Sequence, residues 1–164
     1  MKTVVSFFVS YAQKNRKRAD AFLERLNEQM RPSKSYDFRP WRDSHILVGE
    51  DWDAEIHSAL DACHFGLLLV SPVFLVRDYI RREELPRFVG IAAKPVVPVL
   101  LEPVDAERHD LLGLESRQIY AWNGPRVRMA FSECSTDQHK SQFVRELYQQ
   151  IERRLDKINE SGNA

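Results

Sequence analysis

Two adjacent carboxylates, Glu83 and Glu84, stand in the segment DYIRREEL, among residues that could give one of them an apolar wall. An ionised carboxylate held against such a wall can stabilise a developing positive charge or accept a proton. In a helix, steps of three and four residues return to the same side, so Val76, Tyr79, Ile80 and Glu83 share one face. Glu83 is therefore expected to point with the apolar residues. Glu84, turned about 100° away, falls beside Arg77, Ile80 and Arg81, where helix-surface ion pairs form. Spacing alone leaves a second reading of Glu83, as a surface carboxylate reaching Arg87 at i+4.

Other chemistries find less support. His57, Cys63 and His64 form the one cluster of soft ligands, but it contains neither i,i+4 histidines nor a CxxC pair, so no metal site is expected. Ser10 and Ser71 lack a GxSxG elbow and read as loop or cap residues. The first strand runs into SYAQKNRKR, which has no glycine to let backbone approach a phosphate, and this excludes a dinucleotide fingerprint or a P-loop there. A phosphoacceptor site would want acidic residues where Ser10-Tyr11 and Ser71-Pro72 stand.

These residues are carried by an alternation of strand-length runs with segments of helical period. Val4 to Val9, Tyr36 to Trp41, Phe65 to Val70 and Pro95 to Leu101 read as strands, with Gln118 to Trp122 as a weak fifth. Between them, Ala19, Phe22, Leu23, Leu26 and Met30 mark a first helix with Asn15 as its N-cap, and Trp52, Ile56, Ala59 and Leu60 mark a second. A third helical region spans about Phe74 to Val89, with Pro86 breaking or kinking it. Val144, Leu147, Ile151, Leu155 and Ile158 mark the last. The expected fold is α/β, a flavodoxin-like five-stranded parallel sheet with helices on both faces. In such sheets ligands sit at the carboxyl ends of the strands, which directs attention to the loops after Val9, Trp41 and Val70. Residues 1–160 read as a single domain and 161–164 as a polar tail.

Composition narrows the function further. Lys and Arg number 24, as do Asp and Glu, and a net charge near zero argues against a domain that works by neutralising nucleic-acid phosphates. Two cysteines are too few for a disulfide framework and suit a reducing, cytoplasmic compartment. No run reaches about 18 apolar residues, so no membrane span is expected. The apolar start is read as a core strand and not as a secretory leader. Lys14, Arg16, Lys17 and Arg18 oppose the dipole of the helix they begin and read first as a solvated basic surface.

FFVSYAQKN, WRDSHILVGEDWDAEI, LLLVSPVFL, DYIRREEL and VVPVLLEP, in that order, together resemble a TIR (Toll/interleukin-1 receptor) domain of the bacterial type over roughly residues 4 to 122. The resemblance implies the flavodoxin-like fold and identifies Arg42 to Gly49 with the family's BB loop, through which TIR domains self-associate and which borders the ligand pocket. It implies NAD+ cleavage at the nicotinamide–ribose bond by a glutamate four residues after an aromatic. That pattern here is Tyr79-Ile80-Arg81-Arg82-Glu83, so the catalytic role falls on Glu83. Tyr79, in place of the commoner Trp, can stack on a base or nicotinamide ring, and the departure leaves the product open. Ser10, Tyr11, Trp41 and Asp43 are implied pocket neighbours.

The chemistry suits a single carboxylate. Glycoside hydrolysis normally uses two, but nicotinamide leaves a cationic pyridinium as a neutral base and needs no general acid. Attack by water gives ADP-ribose, and attack by an adenine nitrogen or ribose hydroxyl gives a cyclic isomer. NAD+ is then substrate, and no separate cofactor is implied. A dinucleotide is large for a loop-built cleft on so small a domain, so the pocket is expected to be completed by a second copy through the BB loop. The partners implied are NAD+ and other TIR domains in a homo-oligomer, in bacterial defence or virulence. The alternative is a non-catalytic TIR interaction module that recruits other TIR domains.

Overall fold

The computed structural model describes residues 1–42, 51–77, 83–88, 94–114 and 118–162. Four strands, β1 (Thr3–Ser10), β2 (Tyr36–Trp41), β3 (Phe65–Val70) and β4 (Val96–Leu100), pair in parallel in the order β2-β1-β3-β4. The first connection leads from β1 to one side and the next strand returns to the other, so a crevice opens at the carboxyl ends of β1 and β3. Helices α1 (Arg16–Met30), α2 (Trp52–Ala62) and α3 (Asp137–Gly162) cover the sheet.

Side chains alternate along each strand and so feed two separate cores. Val5, Phe7 and Val9 of β1, with Leu67, Leu69 and Val99, pack against Ala19, Phe22 and Leu26 of α1 and Phe143, Leu147 and Ile151 of α3. Phe8, Leu68, Val70 and Val96 point the other way, onto Ile56 and Leu60 of α2 and onto Phe74 and Phe88. All six residues of β3 are buried, as a central strand covered on both faces requires. Ser10 continues the even-numbered series and so ends β1 on the α2 face.

The fifth strand expected over Gln118 to Trp122 is reduced to one parallel bridge, Val99 to Tyr120. The backbone explains the loss. Tyr120 N–H donates to Pro98 O and Leu100 N–H to Tyr120 O, both at 2.8 Å, which turns the backbone groups of Pro98 and Leu100 toward this neighbour. The next rung would need an N–H from Pro98, which has none. On the other side, Trp122 N–H is committed to Met129 O and Glu102 N–H to Val70 O. The Val96 carbonyl, which a further rung would also use, accepts instead from the Arg154 guanidinium.

Proline marks the opposite edge as well. Thr3 N–H donates to Ser35 O, so the odd-numbered residues of β2 turn their backbone groups to β1, and the missing N–H of Pro40 falls on the outer side.

The third helical region is not one helix. Among the described residues it consists of a 3₁₀ turn at Phe74–Val76, a π-type turn at residues 83–84 and a second 3₁₀ turn, Leu85–Arg87, that contains Pro86. The chain after it is fixed by Phe88, fully buried, with its ring over Gly66 of β3. A Cβ on Gly66 would stand 2.4–2.8 Å from three atoms of that ring. Gly66→Ala is therefore expected to displace Phe88 and lower stability by about 1–3 kcal/mol, read as a reduced urea midpoint, with Phe88→Leu in the same background restoring part of the loss.

Candidate functional site

The carboxyl end of β1 opens onto a cleft of about 70 Å³ whose walls include Ser10, Tyr11, Trp41, Trp52, Arg77 and Glu84. Each is positioned by the fold. Trp41 ends β2 opposite Phe8 and stacks on its ring, with centroids 5.1 Å apart and planes 17° apart. Trp52 opens α2, whose N-terminus is capped by Asp51 accepting from Ala54 N–H at 3.0 Å, and Ile56 follows one turn later on the buried side. Tyr11 turns to the α1 core, where its hydroxyl accepts from Arg42 at 3.1 Å; the Arg42 guanidinium lies 5.0 Å from the ring centroid and pairs with Asp20 at 2.5 Å.

The structure reverses the expected placement of the two glutamates. Glu84 is 8% exposed and accepts a hydrogen bond from the Ser10 hydroxyl, itself 2% exposed. The Glu83 side chain is 40% exposed and lies outside the cleft, 3.2 Å from Nε2 of His57. Counting at 100° per residue fails because residues 83 and 84 lie in a wider π-type turn that passes directly into a tighter 3₁₀ turn.

Several contacts fix this orientation from outside. Asp53, His57 and Asp61 form an i,i+4 stripe along α2. His57 Nε2 stands 3.7 Å from Asp53 as well as facing Glu83, and Arg87 pairs with Asp61 and donates to His57 Nδ1 at 3.1 Å. That bond makes Nδ1 the acceptor and puts the ring proton on Nε2, toward the carboxylates. Lys94 holds the far end of α2, its ammonium donating to Asp61 O at 2.5 Å and Cys63 O at 2.8 Å, where a helix C-terminus favours positive charge. Glu83 and Arg87 thus grip α2 from outside while Glu84 and Phe88 point inward.

A family model for the TIR domain matches residues 7–130. The chain belongs to the TIR domain family. No curated protein matches it. Of the residues singled out in the sequence of this TIR domain, Ser10, Tyr11 and Trp41 come together at one cleft. Asp43 and Tyr79 lie outside the described residues, as does the BB loop beyond Arg42. Trp52, Arg77 and Glu84 are additions to the expected set. Trp52 was legible only as the first position of an amphipathic helix, and Arg77 only as a neighbour of Glu84.

The soft-ligand cluster disperses: Cys63 is buried with its thiol donating to Leu60 O, His64 Nδ1 accepts from Ser6 N–H at 2.9 Å, and His57 serves Glu83. Burial pushes the Cys63 thiol up from its ordinary pKa, which keeps it protonated and unreactive. Among the described residues no helix is long and apolar enough to cross a membrane.

The Ser10–Glu84 contact makes the cleft measurable by stability. Ser10→Ala removes a donor to a buried carboxylate and is expected to cost about 1–3 kcal/mol. In a double-mutant cycle with Glu84→Gln, the two effects should fall short of additivity by about 0.5 kcal/mol or more. Urea unfolding of the four proteins reads both quantities.

Proposed function

We propose that this TIR domain cleaves NAD+ at the nicotinamide–ribose bond, acting as a glycohydrolase or ADP-ribosyl cyclase, with Glu84 as its catalytic carboxylate. The observation that carries this reading is the buried contact between Glu84 and Ser10 inside a cleft with two tryptophans on its walls. An anion at that depth is useful where positive charge develops, because water screens it little.

In this reading the nicotinamide–ribose end enters beside Trp41 and Trp52, whose faces suit a flat heteroaromatic ring. Glu84 accepts hydrogen bonds from the ribose hydroxyls and faces C1′. As the C1′–N bond breaks, its electron pair goes to the pyridinium nitrogen, and nicotinamide leaves neutral. Water then adds to C1′ and gives up a proton, which yields ADP-ribose; a hydroxyl or adenine nitrogen of the same molecule gives the cyclic isomer. The protein supplies no separate cofactor or metal, NAD+ being the substrate.

The cleft of about 70 Å³ is well below the few hundred Å³ of a usual small-molecule site. Most of the dinucleotide therefore lies beyond it, against the BB loop and a second copy of the chain, and activity depends on assembly. The compartment is the cytoplasm, where the free thiols of Cys63 and Cys134 are stable.

The test is NAD+ consumption by the concentrated or artificially clustered protein, with products separated by chromatography. Glu84→Gln is expected to lower turnover by about 100-fold or more, while Glu83→Gln stays near the parent value. Loss confined to Glu83→Gln would transfer the role to the residue that the aromatic-x3-Glu spacing implies. Silence of the clustered parent protein would leave a TIR interaction module.

A further inference from the structure

The loop after β1 borders two clefts: Arg77 and Glu84 balance one another in the walls of the first, and the second is basic. About 510 Å³ in volume, it is lined by Lys14 from the 3₁₀ turn before α1, by Lys17 and Arg18 from the first turn of α1 and by Lys140 from the first turn of α3, with Glu102 as the carboxylate among its described walls. It lies at the carboxyl ends of β1, β3 and β4, on the crevice that the strand order creates.

Of these cations Glu102 neutralises Arg18 alone among the described residues. It pairs with Arg18 and accepts from Asn15 Nδ2 at 3.0 Å, and Asn15 Oδ1 in turn accepts from the buried Ser71 hydroxyl at 2.6 Å. This polar chain builds a fixed floor under the cleft. Among the described residues, Lys14, Lys17 and Lys140 have no carboxylate within 4.0 Å.

Local folding preferences run against the arrangement. The first turn of α1 contains no acidic residue and three consecutive cations, at the helix end that repels them. Asn15 occupies the N-cap position, yet its side chain makes no cap hydrogen bond, being committed to Glu102 and Ser71. A surface selected for helix stability would have an acid or a cap here. Cations drawn from two separate helix starts into one concavity are instead explained by an anion that sits among them.

We propose that this cleft binds a small molecule carrying at least two phosphate groups. Three ammonium groups with no ion-pair partner among the described residues match a condensed phosphate in charge, and the volume leaves room for an attached nucleoside. A chain with zero net charge and a local basic concavity suits a small anion better than a nucleic-acid backbone. The site is distinct from the Glu84 cleft and does not depend on NAD+ turnover.

The test is calorimetric titration of the full chain with inorganic pyrophosphate at about 0.15 M salt, where loose surface attraction is screened. Saturable binding is expected for the parent protein, with affinity weakened about tenfold or more in Lys17→Ala/Lys140→Ala. It should be retained in Lys17→Arg/Lys140→Arg and in Lys34→Ala, which removes an exposed charge elsewhere. The double alanine variant should unfold at the same or a higher urea concentration than the parent, since it relieves repulsion at the start of α1. Absence of saturable binding to the parent, or equal weakening by Lys34→Ala, overturns the proposal.

Discussion

A strand in a parallel sheet covered on both sides must satisfy two cores at once, and β1 does so at the centre of this molecule. Its odd-numbered side chains fill the space beneath α1 and α3, and Phe8 fills the space beneath α2. This alternation cannot slip by one residue without turning both cores inside out. It also decides what stands at the end of the strand. Ser10 emerges on the α2 side, where Glu84 meets it, and Tyr11 emerges on the α1 side, where Arg42 holds it. The two side chains at the mouth of the sheet are thus assigned to different surroundings by packing several residues away.

Much of this was legible in the sequence because it rests on periodicity. Continuous apolar runs located β1 and β3, and stripes at three- and four-residue spacing located α1, α2 and α3. What was not legible depends on single backbone groups. Gln118 to Trp122 has strand composition, but Pro98 offers no donor to it, and a strand's own residues do not report their neighbour's missing N–H. The placement of the two glutamates is hidden from the sequence for a similar reason. Adjacent carboxylates can exchange roles whenever a turn widens or tightens, and the orientation here is fixed by His57 and by Gly66 beneath Phe88, both distant in sequence. Ser10, Tyr11 and Trp41 are legible because a strand end can be read from the strand.

Charge is distributed around the loop after β1 with little exchange between its sides. One side presents a carboxylate with aromatic walls, and the other presents cations over a polar floor. The two are linked through backbone that runs from Ser10 to Asn15, with each end tied by a side-chain hydrogen bond to a different partner. A displacement of this loop would be felt on both sides, because the hydroxyl that holds Glu84 and the amide that holds Glu102 are carried by the same short segment.

The prolines at the two margins of the sheet bear on how copies of this chain can meet. Pro40 leaves a gap among the donors along the outer side of β2, Pro98 does the same along β4, and Arg154 occupies a carbonyl that an incoming strand would need. Each margin is thereby a poorer template for another strand, which disfavours growth of the sheet from one molecule into the next. Blunted margins leave loops and helices as the surfaces better suited to meeting another protein, through contacts that can be made and released without unzipping a ladder of backbone hydrogen bonds.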